Sequence, residues 1–175
     1  MKIRQLTLVG LMTAIICILG PISFPVPISP VPISLGTLAI YFVLTVLGMK
    51  LGTLSVLIYL LLGLAGLPVF TGFTGGPGKL FGPTGGYLIG YLFMALTAGF
   101  FLDKKNSSLF LSVLGMLLGT AVLYLFGSVW LAYQASLTLP QALMAGVVPY
   151  LPGDLVKLVL AMFLGLQVRK RLPRS

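Results

Sequence analysis

The sequence predicts an all-α integral membrane protein: a six-transmembrane-helix bundle with apolar Pro-rich and Gly-rich outer loops. Three observations predict it. The 175 residues are 58% hydrophobic and only 7% charged, where a soluble domain carries roughly 25% charged residues. The apolar residues fall into six blocks. The basic residues fall in alternate gaps between those blocks, the positive-inside pattern. Mean hydropathy is +1.14, and no stretch has the composition of a separable soluble module. Residues 1–175 therefore form a single membrane domain.

The elements follow in order. Met1-Lys-Ile-Arg precedes the first apolar segment, residues 6–20. That beginning partly resembles a signal peptide, but no small-residue cleavage pattern follows, so the segment is expected to remain as a helix. Residues 21–34 are apolar and punctuated by Pro, which excludes helix and favours extended, polyproline-like backbone. Segments 35–49 and 51–67 are divided by Lys50. Residues 67–87 are Gly-rich and aromatic, unlike a polar, Ser-rich flexible linker. The loops hold Phe24, Phe70, Phe73 and Phe81, and are expected to pack over the outer mouth of the bundle. Segment 84–102 leads into Asp103-Lys-Lys105. Segment 109–131 ends near Trp130 and Tyr133, placed as an aromatic interface anchor. Segment 154–168 completes the set.

A helix needs about 20 residues to cross a bilayer. The first three segments and the last fall short of that, while the fourth and fifth reach it. Short spans beside Pro and Gly imply helices completed or broken by irregular backbone. Such backbone survives at membrane depth only where protein or a water-filled cavity shields it. Interrupted segments also point to binding sites in transport proteins.

Six crossings place nine of the eleven Lys and Arg residues on one side: Lys2, Arg4, Lys50, Lys104, Lys105, Arg169, Lys170, Arg171 and Arg174. Lys79 is alone on the other side, and Lys157 lies within the membrane. The expectation is a plasma-membrane protein with both termini cytoplasmic.

The same placement excludes other classes. A net charge of +9 would suit nucleic acid if it formed a basic stripe on a solvated face. Here it is confined to short loops, so no nucleic-acid partner is expected. Cys17 is alone in an apolar run and cannot form an intramolecular disulfide. With no His and no Cys cluster, a zinc or iron site is not expected. No His exists to activate a Ser or Thr nucleophile, and no carboxylate cluster suits metal-assisted hydrolysis. No cofactor and no catalysis are expected.

The informative residues are Asp154 and Lys157. An ionisable group in a bilayer typically costs at least ~2.5–3.5 kcal/mol on insertion scales, and such groups face a protein interior and bind something. Three apart on a helix, the two lie on one face. A competing role for Asp154 is to cap the helix that Pro152-Gly153 would start, but capping gives no reason for Lys157. Gly82-Pro-Thr-Gly-Gly-Tyr87 opens the fourth segment. It reads either as a turn with Thr84 as helix cap or as backbone that approaches a ligand closely; it lacks the Gly-Lys-Ser/Thr ending of a phosphate loop. Small residues four apart recur at Gly10 and Ala14, Gly86 and Gly90, and Gly115 and Gly119, spacings that let helices approach closely.

The stretch Gly75-Gly-Pro-Gly-Lys-Leu-Phe-Gly-Pro-Thr-Gly-Gly-Tyr-Leu-Ile-Gly90 closely resembles the BioY family, the biotin-binding S components of energy-coupling factor (ECF) transporters. Pro25-Val-Pro…Pro32-Ile-Ser, Gly66-Leu-Pro-Val-Phe-Thr-Gly-Phe and Pro152-Gly-Asp-Leu-Val-Lys157 follow the family's order, and the resemblance covers nearly the whole chain. It implies six membrane helices that capture biotin from outside. Delivery would depend on a transmembrane T component and two cytoplasmic ATP-binding subunits. Carried over residue by residue, it implies substrate contacts at Thr37, Phe70, Phe73, Gly82, Thr84, Tyr87, Asp154 and Lys157, and docking of the T component at Gly10 and Ala14. The chain departs from the family's pattern at Gly10, where Ala is usual, at Gly36, where Gln is frequent, and at Lys79, where an apolar residue is usual. Alternatives from the residues alone are an S component for another vitamin, a membrane enzyme using Asp154 as base, and an oligomeric channel.

Overall fold

The structure, a computed structural model, describes residues 3–25, 27, 31–104 and 108–171. Lys2, Lys105 and Arg174, used above for orientation, lie outside the described residues. The described chain forms seven helices and one small hairpin: α1 (Ile3–Leu19), β1 (Ser23–Phe24), β2 (Ile33–Ser34), α2 (Gly36–Leu64), α3 (Pro77–Leu80), α4 (Gly85–Leu102), α5 (Leu109–Gln134), α6 (Leu139–Gly146) and α7 (Leu151–Arg171). Helices α2, α4, α5 and α7 are long and apolar enough to cross a membrane, while α1 is apolar but only 17 residues long.

Helix α2 is one element only in outline. Gly48 has φ 75° and ψ −167°, a conformation essentially restricted to glycine. The chain reverses there. The missing side chain of Gly52 faces the Leu44 side chain and the Val43 carbonyl, a contact that a straight helix would place more than 10 Å apart at 1.5 Å per residue. Asp103, at the end of α4, closes this turn: the Met49 N–H donates to its Oδ2 at 2.9 Å. Arg169 of α7 lies 3.8 Å from Asp103 Oδ1 and donates to the Thr45 carbonyl at 3.4 Å. Three helices are thereby gathered at one end of the bundle.

At the opposite end, Gly20 sits against the Val69 carbonyl and the Tyr59 hydroxyl. The core runs between the two ends and is built from Met12, Ile16, Ile40, Leu44, Tyr59, Met94, Met116, Leu123 and Leu158. Helices α4 and α5 make the most extensive pair. Their small residues set the approach: a Cβ on Gly86 would lie 2.2 Å from Trp130 Cβ, and one on Gly119 3.0 Å from the Met94 carbonyl. Those glycines serve packing inside the bundle. Gly10 is different. Among the described residues nothing outside its own helix backbone and chain neighbours lies within 4 Å of where its Cβ would be, and both Gly10 and Ala14 are exposed.

Three local readings need correction. The Pro-rich loop is not purely polyproline-like, because Ser23–Phe24 and Ile33–Ser34 pair as an antiparallel hairpin. Helix α7 begins at Leu151, one turn before Asp154, and the Asp154 N–H already donates to the Tyr150 carbonyl at 2.8 Å; its carboxylate is free for other partners. Helix α6 had no counterpart among the six segments.

Candidate functional site

Asp154 and Lys157 are 6% and 9% exposed, and every strong donor and acceptor they carry is directed inward. Asp154 Oδ1 accepts from Lys157 Nζ at 2.8 Å and from the Thr37 hydroxyl at 3.2 Å. Its Oδ2 accepts from the Tyr124 hydroxyl at 2.7 Å. Lys157 Nζ also donates to the Ser34 carbonyl at 2.7 Å and to Thr37 Oγ1 at 3.2 Å. A buried ion pair is tolerable only when such extra bonds satisfy both partners. Four elements are therefore held together: β2 through Ser34, α2 through Thr37, α5 through Tyr124, and α7 through the pair itself.

A carboxylate has about four lone-pair sites, and three donors occupy those of Asp154. That leaves room for about one further donor, and Asp154 lines a cavity. That cavity has about 560 Å³ of empty space, its open mouth included, within the range of small-molecule sites. Its floor is Ser34, Thr37, Tyr124, Asp154 and Lys157; Leu88, Tyr91 and Leu123 form apolar and aromatic wall. Pro32, Thr71, Lys79 and Thr84 line it from the loops. A second cleft, about 400 Å³ and lined by Leu117, Ala121, Leu151, Leu155 and Leu158, reaches Asp154 from between α5 and α7.

The Gly-rich loop is ordered over the site by backbone and side-chain bonds. Gly76 N–H donates to the Gly63 carbonyl at 2.7 Å, and Gly72 N–H to the Pro21 carbonyl at 3.0 Å. From α5, Trp130 Nε1 donates to the Gly82 carbonyl at 2.9 Å and Gln134 to the Phe81 carbonyl at 2.6 Å. The Tyr150 hydroxyl bonds the Val31 carbonyl, joining the Pro-rich loop to the start of α7.

Of the residues expected to contact substrate, Thr37, Thr84, Tyr87, Asp154 and Lys157 line this cavity. Thr84 stands at the start of α4, but its side chain caps no amide. The Tyr87 hydroxyl donates to the Gly146 carbonyl at 3.0 Å, so the ring contributes wall rather than a free donor. Phe70, Phe73 and Gly82 stand apart from the lining. Phe70 is fully buried; it packs over Gly63, whose Cβ would lie 2.1 Å from the ring, and edge-on to Tyr59 with centroids 5.5 Å apart. Phe73 is exposed at the loop tip, turned outward by φ 56°. Gly82 is engaged through its carbonyl with Trp130. Sequence reasoning missed Ser34, Tyr91 and Tyr124.

The sequence model of the BioY family matches residues 1–174. The chain belongs to the BioY family. It is 39% identical over 167 residues to "Biotin transporter BioY" of Thermotoga maritima, covering 95% of this chain and 96% of that protein. A Lactococcus lactis subsp. cremoris protein of the same description is 37% identical over 176 residues, covering 97% and 93%. A crystal structure described as the S-component for biotin from an ECF-type ABC transporter superposes with TM-score 0.90 at 38% identity, covering 98% of this chain and 93% of that one. These BioY relatives are named as transporters, not as enzymes.

Proposed function

We propose that this BioY chain is the biotin-capture subunit of an ECF-type transporter. The observation that carries the reading is the buried Asp154–Lys157 pair at the floor of a cavity roofed by the Gly-rich loop. Biotin has a ureido ring with two N–H donors, an apolar thioether ring and a terminal carboxylate. The open acceptor site on Asp154 suits a ureido N–H, giving a charge-assisted bond in a desolvated place. The Tyr91 and Tyr124 rings and Leu88 and Leu123 supply apolar wall for the bicycle. The contacts we assign to substrate are Thr37, Tyr91, Tyr124 and Asp154, with Lys157 paired to Asp154 at 2.8 Å in the free site.

The reading extends to the membrane. The reversal at Gly48 divides α2 into two arms, which with α1, α4, α5 and α7 give six crossings. Asp103, Met49 and Arg169 then mark the cytoplasmic end, the loops mark the outer end, and both termini are cytoplasmic. This chain contains no nucleotide-binding sequence motif, so the energy for uptake comes from a T component and two ATP-binding subunits. The exposed stripe of Gly10 and Ala14 on α1 supports a docking face for that T component, since small residues permit close helix approach.

The test is equilibrium binding of radiolabelled biotin to the purified chain in detergent, competed by thiamine and riboflavin. Saturable, stoichiometric binding that neither competitor displaces is expected. Displacement by another vitamin would assign the site to that vitamin. Turnover of biotin or a lipid by the chain alone would make it an enzyme.

A further inference from the structure

The cavity contains two cations, and they are in opposite states. An ammonium group has three hydrogens to donate. Those of Lys157 have three protein acceptors: the Ser34 carbonyl, Thr37 Oγ1 and Asp154 Oδ1, at 2.7, 3.2 and 2.8 Å. Lys157 therefore has no donor left for a ligand. Lys79 lines the same cavity, and among the described residues its ammonium has no ion pair and no hydrogen bond. Neither acidic residue can neutralise it. Asp154 is held by Lys157, Thr37 and Tyr124, and Asp103 lies at the far end of the bundle with Met49 and Arg169.

The cavity also offers hydroxyl donors on its loop side, and Lys79 has a fixed frame. Thr71 and Thr84 line the same cavity as Lys79, and the Thr84 hydroxyl caps no helix amide. Lys79 sits in the single turn α3, Pro77–Leu80. That turn is anchored before by the Gly76 N–H bond to the Gly63 carbonyl and after by the Gln134 bond to the Phe81 carbonyl. A fixed backbone thus presents a flexible four-carbon stem with a compact charge at its end. The floor of the cavity has a net charge near zero, and its loop side is positive.

We propose that Lys79, with the Thr71 and Thr84 hydroxyls, is the carboxylate subsite of this cavity. It selects ligands that carry a free carboxylate at the end away from Asp154. This rests on the biotin-capture reading and deepens it: the neutral ureido end goes to Asp154 and the anionic end to the loop. Ligand binding would then tie the roof to the floor through one molecule.

The experiment compares biotin with its neutral methyl ester on the purified chain, on Lys79→Met and on Lys79→Arg. The unaltered chain should prefer biotin over the ester by on the order of tenfold, the size of one charged hydrogen bond. Lys79→Met should lose that preference by weakening biotin while leaving ester affinity within twofold, which also shows the site intact. Lys79→Arg should keep the preference. Equal loss for both ligands, or no loss for either, overturns the subsite and leaves the capture reading standing. Failure of the unaltered chain to bind either ligand overturns the capture reading, and the subsite with it.

Discussion

Lys157 lies one helical turn beyond Asp154 and donates to its Oδ1 at 2.8 Å, while Thr37 bonds both members of the pair. The pair is buried, so removing the negative charge alone leaves a buried cation without its counter-ion. Asp154→Asn should weaken biotin binding by the loss of a charged hydrogen bond, about 1.5–3 kcal/mol, or roughly 10- to 150-fold. Titration of the folded, detergent-solubilised variant measures it. Affinity within twofold of the parent would remove Asp154 from the site.

Gly48 and Asp103 should matter to stability and not to affinity. Any other residue at Gly48 must adopt φ 75° and ψ −167°, and its Cβ would lie 2.2 Å from Asp103 Oδ1. Backbone strain of this kind costs about 1–3 kcal/mol. Asp103→Ala removes the acceptor for the Met49 N–H, comparable to loss of a helix cap, about 0.5–2 kcal/mol. Thermal unfolding in detergent should show Gly48→Ala and Asp103→Ala both destabilised, with biotin affinity within about twofold in each surviving folded sample. A large affinity loss in Asp103→Ala would mean that the inner end controls the outer site.

The charged pair was legible in the sequence because ions are rare in apolar segments, and the helical spacing put both on one face. Its partners were not legible. Tyr124 looks like any aromatic residue in a membrane helix, and only the packing of α5 against α7 brings its hydroxyl to Asp154. Ser34 contributes a backbone carbonyl, a group that every residue has. Phe70 lies off the cavity lining, a placement not legible in the sequence because an aromatic loop residue can turn either way; Gly63, which makes room for its ring, lies in a different segment. Helix α6 did leave a signal: Thr138-Leu-Pro-Gln141 has the spacing of a capping box with Pro in the first turn, and Gln141 accepts the Thr138 N–H at 3.0 Å. The Gly48 reversal was legible only as the Lys50 gap between two short segments.

Gly85 and Gly86 both open α4, but their side-chain positions face different neighbours. A Cβ on Gly85 would lie 1.6 Å from the Leu80 carbonyl, in the roof; one on Gly86 would lie 2.2 Å from Trp130 Cβ, in α5. Sequence reasoning alone would place both side chains in the space shared by loop and ligand. Gly85→Val should displace the Gly-rich loop and weaken binding with the bundle intact. Gly86→Val should push α5 away, freeing Trp130 from the Gly82 carbonyl and lowering thermal stability as well. Equal stability in the two variants would contradict this division.

The loop should be a roof whose inner side is shielded by ligand. Thr71 lines the cavity, while Phe73 is 69% exposed at the tip. With Cys17 replaced by Ala, a single Cys at position 71 should label more slowly when biotin is added, and a single Cys at position 73 should label at the same rate. Equal protection at both positions would indicate closure of the whole loop. No protection at either would defeat the roof.

The last prediction concerns assembly. Gly10 and Ala14 are four apart on α1, so they lie on one stripe. Both are exposed, and among the described residues nothing beyond Gly10's own helix backbone and chain neighbours lies within 4 Å of a Cβ built on it. Gly86 and Gly90 of α4 and Gly115 and Gly119 of α5 differ, because each faces the other helix of that pair and serves internal packing. A bulky residue on the α1 stripe therefore has no neighbour within the chain to displace. Gly10→Trp and Ala14→Trp should leave biotin binding by the solitary subunit nearly unchanged. Both should block copurification with a T component and abolish ATP-driven uptake, because a close helix contact cannot accommodate an indole ring. The two measurements on the same variants separate the possibilities. Normal assembly of both variants would place the docking face elsewhere on the bundle. Loss of biotin binding in the solitary subunit would return the stripe to a role in the fold, against the open space that the structure shows around Gly10.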